Sequence, residues 1–152
     1  MTRKKTGSAK TTRSNKETYE VMIKAIGKKY GDIFTSDELL HFPCQHLCTI
    51  DKLWVKYSDG RFGFSIQKEM YESIAGKPNA KYDKEALNKL CKTVGWRKEE
   101  GDFINYSELY FNTKITSGYL PLCVVWGRNF GCFGRSWRKL YDLFSRIETC
   151  KP

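Results

Sequence analysis

Apolar residues along this 152-residue chain recur at intervals of three and four, with little strict alternation. That spacing predicts helices and not strands. Tyr19, Met22, Ile23 and Ile26 fall at i, i+3, i+4 and i+7 on one face. Ser14-x-x-Glu17 ahead of them has the form of a capping box, whose hydroxyl and carboxylate can satisfy the open N–H groups of a helix start. Gly27 can close that helix. Thr35-x-x-Glu38 repeats the capping pattern before Leu39 and Leu40, and Pro43 stops the turn. Ile50, Leu53, Trp54 and Tyr57 form a further apolar face that ends in the turn Ser58-Asp59-Gly60. Phe64, Ile66, Met70 and Ile74 predict a helix running to Gly76-Lys77-Pro78. Asp83 reads as an N-cap, Leu87, Leu90, Cys91 and Val94 as an inner face, and Gly95 as the left-handed residue after it. Between residues 96 and 120 aromatic residues appear without a period, which predicts a long aromatic loop, and loops of that length are usually functional. A last helix from Ser136 would turn Trp137, Leu140, Tyr141, Phe144 and Ile147 inward. The pattern as a whole predicts an all-α, single compact domain of about five to seven helices.

Charge changes the picture at one end. The formal net charge is +10, which by itself would suggest nucleic acid. Six of those charges, Arg3, Lys4, Lys5, Lys10, Arg13 and Lys16, lie in residues 1–16 without an acid among them. The remaining body holds 21 basic and 17 acidic side chains. A basic tail over 1–16 on a nearly balanced domain over 17–150 reads as a solubilising, disordered arm. RNA binding through that arm is the rival reading, and no nucleic-acid partner is expected of the domain itself. Residues 1–16 lack the apolar stretch of a secretory signal, so the six Cys are read as reduced intracellular thiols. The longest apolar run, Leu120 to Trp126, is seven residues and includes Pro121, far short of a membrane span. Lys exceeds Arg by 19 to 8, a bias that points weakly to an organelle-encoded gene.

The candidate chemistry is sparse. His41, Cys44, His46 and Cys48 supply metal-ligand types within eight residues, but not as the two separated pairs of a zinc finger. They read as buried thiols and surface imidazoles, with no metal site. Gly127, Gly131 and Gly134 match neither a phosphate loop nor a dinucleotide fingerprint. There is no G-x-S-x-G nucleophile, and both His residues lie in the cluster above. No paired-carboxylate site can be argued, so the chain is read as a non-enzyme. Residues 47–67 stand out because Trp54, Tyr57, Phe62 and Phe64 alternate with Lys52, Lys56 and Arg61. Such a mixture is either core plus solvated charge or a site for a flat macrocycle with carboxylate tails. In the second case ring burial contributes about 25 cal/mol per Å² and the cations take the carboxylates.

The same segment resembles the Genomes-Uncoupled-Four domain, the porphyrin-binding accessory of magnesium chelatase. The resemblance rests on Phe42-Pro43, Leu47, Thr49-Ile50-Asp51, Leu53-Trp54, Tyr57-Ser58, Gly60-Arg61-Phe62-Gly63-Phe64-Ser65 and Gln67, in order and spacing. Gly95-Trp96, Gly118-Tyr119-Leu120-Pro121, Glu17-Thr18 with Met22, and the Ser145-Arg146 to Cys150 ending extend it over roughly 17–150. The family commonly has Asp where this chain has His46, and His where it has Tyr119.

The resemblance implies an all-α, cupped domain with an apolar palm that binds protoporphyrin IX and magnesium protoporphyrin IX. It implies a regulator of chlorophyll biosynthesis that stimulates magnesium chelatase through the large porphyrin-binding subunit, as a monomer that can associate peripherally with membranes. The expected place is the plastid stroma, or the cytoplasm of a cyanobacterium. On this footing Phe62, Phe64 and Ile66 would form the palm, with Leu47, Ile50 and Trp54 beside or beneath it. Trp96, Tyr119 and Leu120 would close over the ring edge, and Arg61, Lys56 and Arg97 would receive propionates. The alternative is a signalling or scaffold module of the same fold without significant porphyrin binding.

Overall fold

The computed structural model describes residues 2–78, 81–96, 116–121 and 137–151, with side chains from Ser14 onward and, in the last stretch, from Arg138. Among the described residues the architecture is all-α: α1 (Thr2–Ala25), α2 (Ser36–Leu40), α3 (Cys44–Tyr57), α4 (Phe64–Ala75), α5 (Lys84–Val94) and α6 (Trp137–Thr149). No described helix is long and apolar enough to cross a membrane. The long aromatic loop expected over 96–120 falls mostly on residues 97–115, outside the described residues.

The helix ends follow local chemistry. Thr35 and Glu38 close the predicted capping box on α2, Thr35 Oγ1 accepting from the Glu38 N–H and Glu38 Oε1 from the Thr35 N–H. Asp83 caps α5 through the Ala86 N–H, and Gly76 and Gly95 take the left-handed conformation that ends α4 and α5. The Ser14–Glu17 capping box does not form. The helix has already begun at Thr2, so residues 2–16, read from their charge as a tail, belong to α1. A tail pattern of Ser, Thr, Lys and Arg does not forbid helix, because Lys and Arg are good helix formers.

The core is built around α6, which packs on α2, α3, α4 and α5. Leu140, Leu143 and Phe144 of α6 are buried with Tyr71 of α4, Leu87, Leu90 and Val94 of α5, and Leu39 and Phe42. A charge group centred on buried Lys68 spans two of these helices. Lys68 Nζ on α4 lies 2.9 Å from Glu72 Oε2 and 2.8 Å from Glu148 Oε2 on α6, and Lys151 also reaches Glu148. The two cations hold the Glu148 carboxyl down at about 2. Desolvation favours neutral Lys68, but its hydrogen bonds to Glu148 and Glu72 outweigh that and push the ammonium above its ordinary range.

The cysteines depart from the expectation of free thiols. Cys44, at the start of α3, and Cys150, just past α6, have Cα atoms 5.2 Å apart and form a disulfide. Their separation of 106 residues hides the pairing from local pattern. Cross-links that close long loops restrict the unfolded chain most, by about 4–5 kcal/mol in the chain-entropy treatment. Among the described residues Cys48 and Cys91 take no part in a disulfide, and Cys48 donates to the Cys150 carbonyl oxygen at 3.5 Å. Cys123 and Cys132 lie outside the described residues.

Candidate functional site

Helix α1 packs chiefly on α3, at the edge of the α6-centred core. A cavity of about 1020 Å³ opens along this pair. Ser14, Glu17, Thr18 and Val21 form its α1 wall, at the i, i+3, i+4, i+7 positions of one helical stripe. The α3 wall is a matching stripe, His46, Ile50, Leu53 and Tyr57, with Thr49 and Trp54 beside it. Ser58, Asp59, Arg61 and Phe62, in the turn after α3, close one end. Val21, Leu53 and Tyr57 are 49%, 49% and 79% exposed, an apolar lining left open to solvent. Large exposed apolar groups gathered on a concave surface mark a binding site more often than chance scatter does.

Hydrogen bonds hold the two walls together at one point. Trp54 Nε1 on α3 donates to Thr18 Oγ1 on α1 at 3.0 Å, and that hydroxyl donates to the Ser14 carbonyl at 2.7 Å. The Trp54 and Phe62 rings meet edge to face at 6.2 Å, and the Arg61 guanidinium lies 5.1 Å from the centre of the Phe62 ring. This end therefore offers aromatic surface beside a cation.

The turn carrying Arg61 and Phe62 is fixed from below. Ser58 Oγ donates to the Trp54 carbonyl at 2.6 Å and accepts from the Phe62 N–H at 2.9 Å. Asp51 Oδ1 accepts the Ser65 N–H at 2.9 Å, serving α4 where Gly63 has no side chain to cap it. Gly63, at φ +136, has Val55 Cγ2 and Asp51 Oδ1 at 2.8 and 2.9 Å from where a Cβ would stand, so only glycine fits. Residues 118–121 run beneath the turn. The Gly118 N–H donates to the Arg61 carbonyl at 2.7 Å, and the Gly63 N–H to the Leu120 carbonyl at 3.0 Å. Buried Gln67 donates from Nε2 to the Gly118 and Pro121 carbonyls at 3.1 and 3.0 Å, and Trp96 Nε1 donates to the Tyr119 carbonyl at 2.7 Å.

This arrangement divides the residues singled out from sequence. Ile50, Trp54, Arg61 and Phe62 come together on the groove. Leu47, Phe64, Trp96, Tyr119 and Leu120 are buried in the core at 0–2% exposure and do not line it. Trp96, Tyr119 and Leu120 hold the turn from beneath, a different position from the rim over a ring edge. Ile66 is half-buried on α4, away from the groove, and Lys56 is exposed with its ammonium over the Tyr57 ring at 5.4 Å. Arg97 lies outside the described residues. The α1 wall is hidden in the sequence, because Ser14 reads as a helix cap and Val21 lies off the apolar face of Tyr19, Met22, Ile23 and Ile26. A second stripe at 14, 17, 18 and 21 was the available signal. The His41–Cys48 cluster is dispersed. Cys44 is in the disulfide, His41 is held by Asp37, Cys48 faces Cys150, and His46 alone lines the groove. No cluster of three or more His, Cys, Asp and Glu side chains placed to hold a metal ion exists among the described residues.

Comparison with known proteins agrees with this architecture. A chloroplastic tetrapyrrole-binding protein of Arabidopsis thaliana is 30% identical over 112 residues, 72% of this chain and 42% of that protein. The uncharacterized protein ycf53 of Porphyra purpurea is 25% identical over 112 residues, 72% of this chain and 43% of that protein. The chain thus spans less than half the length of these curated relatives. The ligand-free structure of Arabidopsis thaliana GUN4 superposes with a TM-score of 0.64 at 24% identity, covering 90% of this chain and 86% of that one, and so shares the fold. With the sequence profile matching over residues 6–132, from the α1 wall through the strap beneath the turn, the chain belongs to the GUN4-like family.

Proposed function

We propose that this chain binds a tetrapyrrole in the groove between α1 and α3 and acts as a non-catalytic regulator of tetrapyrrole synthesis. The observation that carries the reading is the groove itself. An apolar cavity of about 1020 Å³ is large enough for a macrocycle, with Trp54 and Phe62 for its face and Arg61 at one end for a carboxylate. The name of the Arabidopsis relative supports the ligand class. Protoporphyrin IX and magnesium protoporphyrin IX are the tetrapyrroles meant, the large porphyrin-binding subunit of magnesium chelatase the partner, and the plastid the place. Stimulation of the chelatase follows if the groove presents porphyrin to that subunit.

Trp54 provides the signal for a test, because its indole lies on the groove and its fluorescence is quenched by a porphyrin against it. Titration with protoporphyrin IX and with magnesium protoporphyrin IX should give saturable one-to-one quenching together with an absorbance shift. Arg61→Glu, at an exposed turn position, should weaken both ligands about tenfold while leaving the melting temperature in place. A folded protein that shows no saturable quenching would leave the scaffold reading in its place.

A further inference from the structure

We infer that His46 is an axial ligand for the central metal of a bound metallotetrapyrrole, so that the groove distinguishes metallated from metal-free rings. This rests on the tetrapyrrole reading of the groove and adds a discriminating residue to it. The chain has two His residues, and the structure gives them different fates. His41 Nδ1 lies 3.0 Å from the Asp37 carbonyl and 3.3 Å from Asp37 Oδ1, and it does not line the groove. His46 lines the groove, and no hydrogen bond or ion pair to a described residue holds its ring. It begins the α3 stripe that continues through Ile50 and Leu53 to Tyr57, about 17 Å along the axis at 1.5 Å per residue. Arg61 stands over the Phe62 ring, which folds back against Trp54 partway along that stripe. With carboxylates at Arg61, the macrocycle lies over the apolar side chains of the stripe with its centre toward the imidazole.

The chemistry favours imidazole over the other groove donors. Four ring nitrogens occupy the plane of a metallotetrapyrrole and leave an axial position for a donor from the wall. Glu17 and Asp59 could offer carboxylates, but burying an ionised carboxylate beneath an apolar ring is costly, whereas neutral imidazole carries no charge to desolvate. Imidazole is also a good ligand for zinc and iron. A metal-free porphyrin has nothing to accept the His46 lone pair, so the residue adds affinity for the metallated ring alone.

Zinc protoporphyrin IX and metal-free protoporphyrin IX are the probes, titrated into the intact chain, into His46→Ala and into Glu17→Gln. Expected are saturable binding of both rings by the original chain and an absorbance shift of the zinc compound that marks an added nitrogen ligand. His46→Ala should lose that shift and about tenfold of zinc-porphyrin affinity, keep its metal-free affinity, and regain the shift with added imidazole. Glu17→Gln should keep it. Unchanged zinc-porphyrin affinity in His46→Ala with the shift intact, or loss of the shift in Glu17→Gln, would overturn the assignment while leaving the groove as the binding site. Failure of the original chain to bind either ring would overturn the tetrapyrrole reading itself.

Discussion

Two tryptophans separate the parts of this molecule that fold it from the parts that line its open groove. Trp96 is 1% exposed, and its indole N–H ends on a backbone carbonyl, that of Tyr119, in the dry core. Trp54 is half-buried, and its N–H ends on a side-chain hydroxyl, that of Thr18, across an open groove. Both belong to the short motifs by which the chain resembles its family. One motif thus fixes a strap beneath the Arg61 turn and the other paves the surface above it. A motif residue can therefore belong to the groove by lining it or by holding it up, and burial tells the two apart.

The sharpest way to test that division is to remove the supporting residue. Trp96→Ala should cost about 3–5 kcal/mol of stability, since it leaves a cavity and strands the Tyr119 carbonyl. Urea denaturation would measure it, and tetrapyrrole binding should fall in step with the folded fraction. A stable Trp96→Ala protein with selectively impaired binding would place Trp96 in the site after all.

Leu53→Glu is the converse. Leu53 is 49% exposed, so the substitution should move stability by no more than about 0.5 kcal/mol. It puts a carboxylate on the apolar α3 wall, and a tetrapyrrole titration should show at least a tenfold loss of affinity, about 1.4 kcal/mol. Loss of stability without loss of binding would mean that the exposed apolar lining serves the fold.

How far each region was legible follows from the range of the interactions that make it. Helices α2, α4 and α5 were readable because their caps and turns are local: Thr35 with Glu38, Asp83 with Ala86, Gly76 and Gly95 at helix ends. The turn at 58–62 was readable as a turn, but not its support, since Gly118 and Leu120 reach it from more than fifty residues away. The Cys44–Cys150 bond and the Lys68–Glu148 contact are equally long-range and left no local mark. The groove was half-visible. Ile50, Trp54, Arg61 and Phe62 came from the α3 segment, but aromatic content alone could not separate Phe62, on the groove, from Phe64, fully buried one pleat of sequence away. The α1 wall was obscured by charge, because a basic, Ser/Thr-rich stretch looks solvated whether or not it is helical.

A smaller effect probes the core alone. Glu148 has a folded pKa of about 2, below the ordinary 4.5, so the folded state favours its charged form. Its contribution is complete above about pH 4.5 and is lost as the pH falls toward 2, because the unfolded chain then binds the proton first. Glu148→Gln should flatten that part of the stability profile. The group is about a third exposed, so solvent screening limits the loss at neutral pH to about 1 kcal/mol. Chemical denaturation between pH 2 and 7 would trace the difference, and tetrapyrrole affinity at neutral pH should not change, since α6 does not line the groove.

The smallest expected change returns to the two indoles. Thr18→Val removes the acceptor for Trp54 Nε1 at little change in volume. In the free protein the groove is open, so water can take the N–H and the cost should stay below about 0.5 kcal/mol. With a tetrapyrrole in the groove that water is displaced, and the unpaired N–H should weaken binding a few-fold, about 1 kcal/mol. Thermal melts with and without saturating porphyrin separate the two states. A variant that melts like the original when free, but gains less from ligand, makes Thr18 part of the site. If Thr18→Val instead destabilises the free protein by several kcal/mol, the α1–α3 contact is as dry as the core around Trp96, and the contrast between the two tryptophans fails.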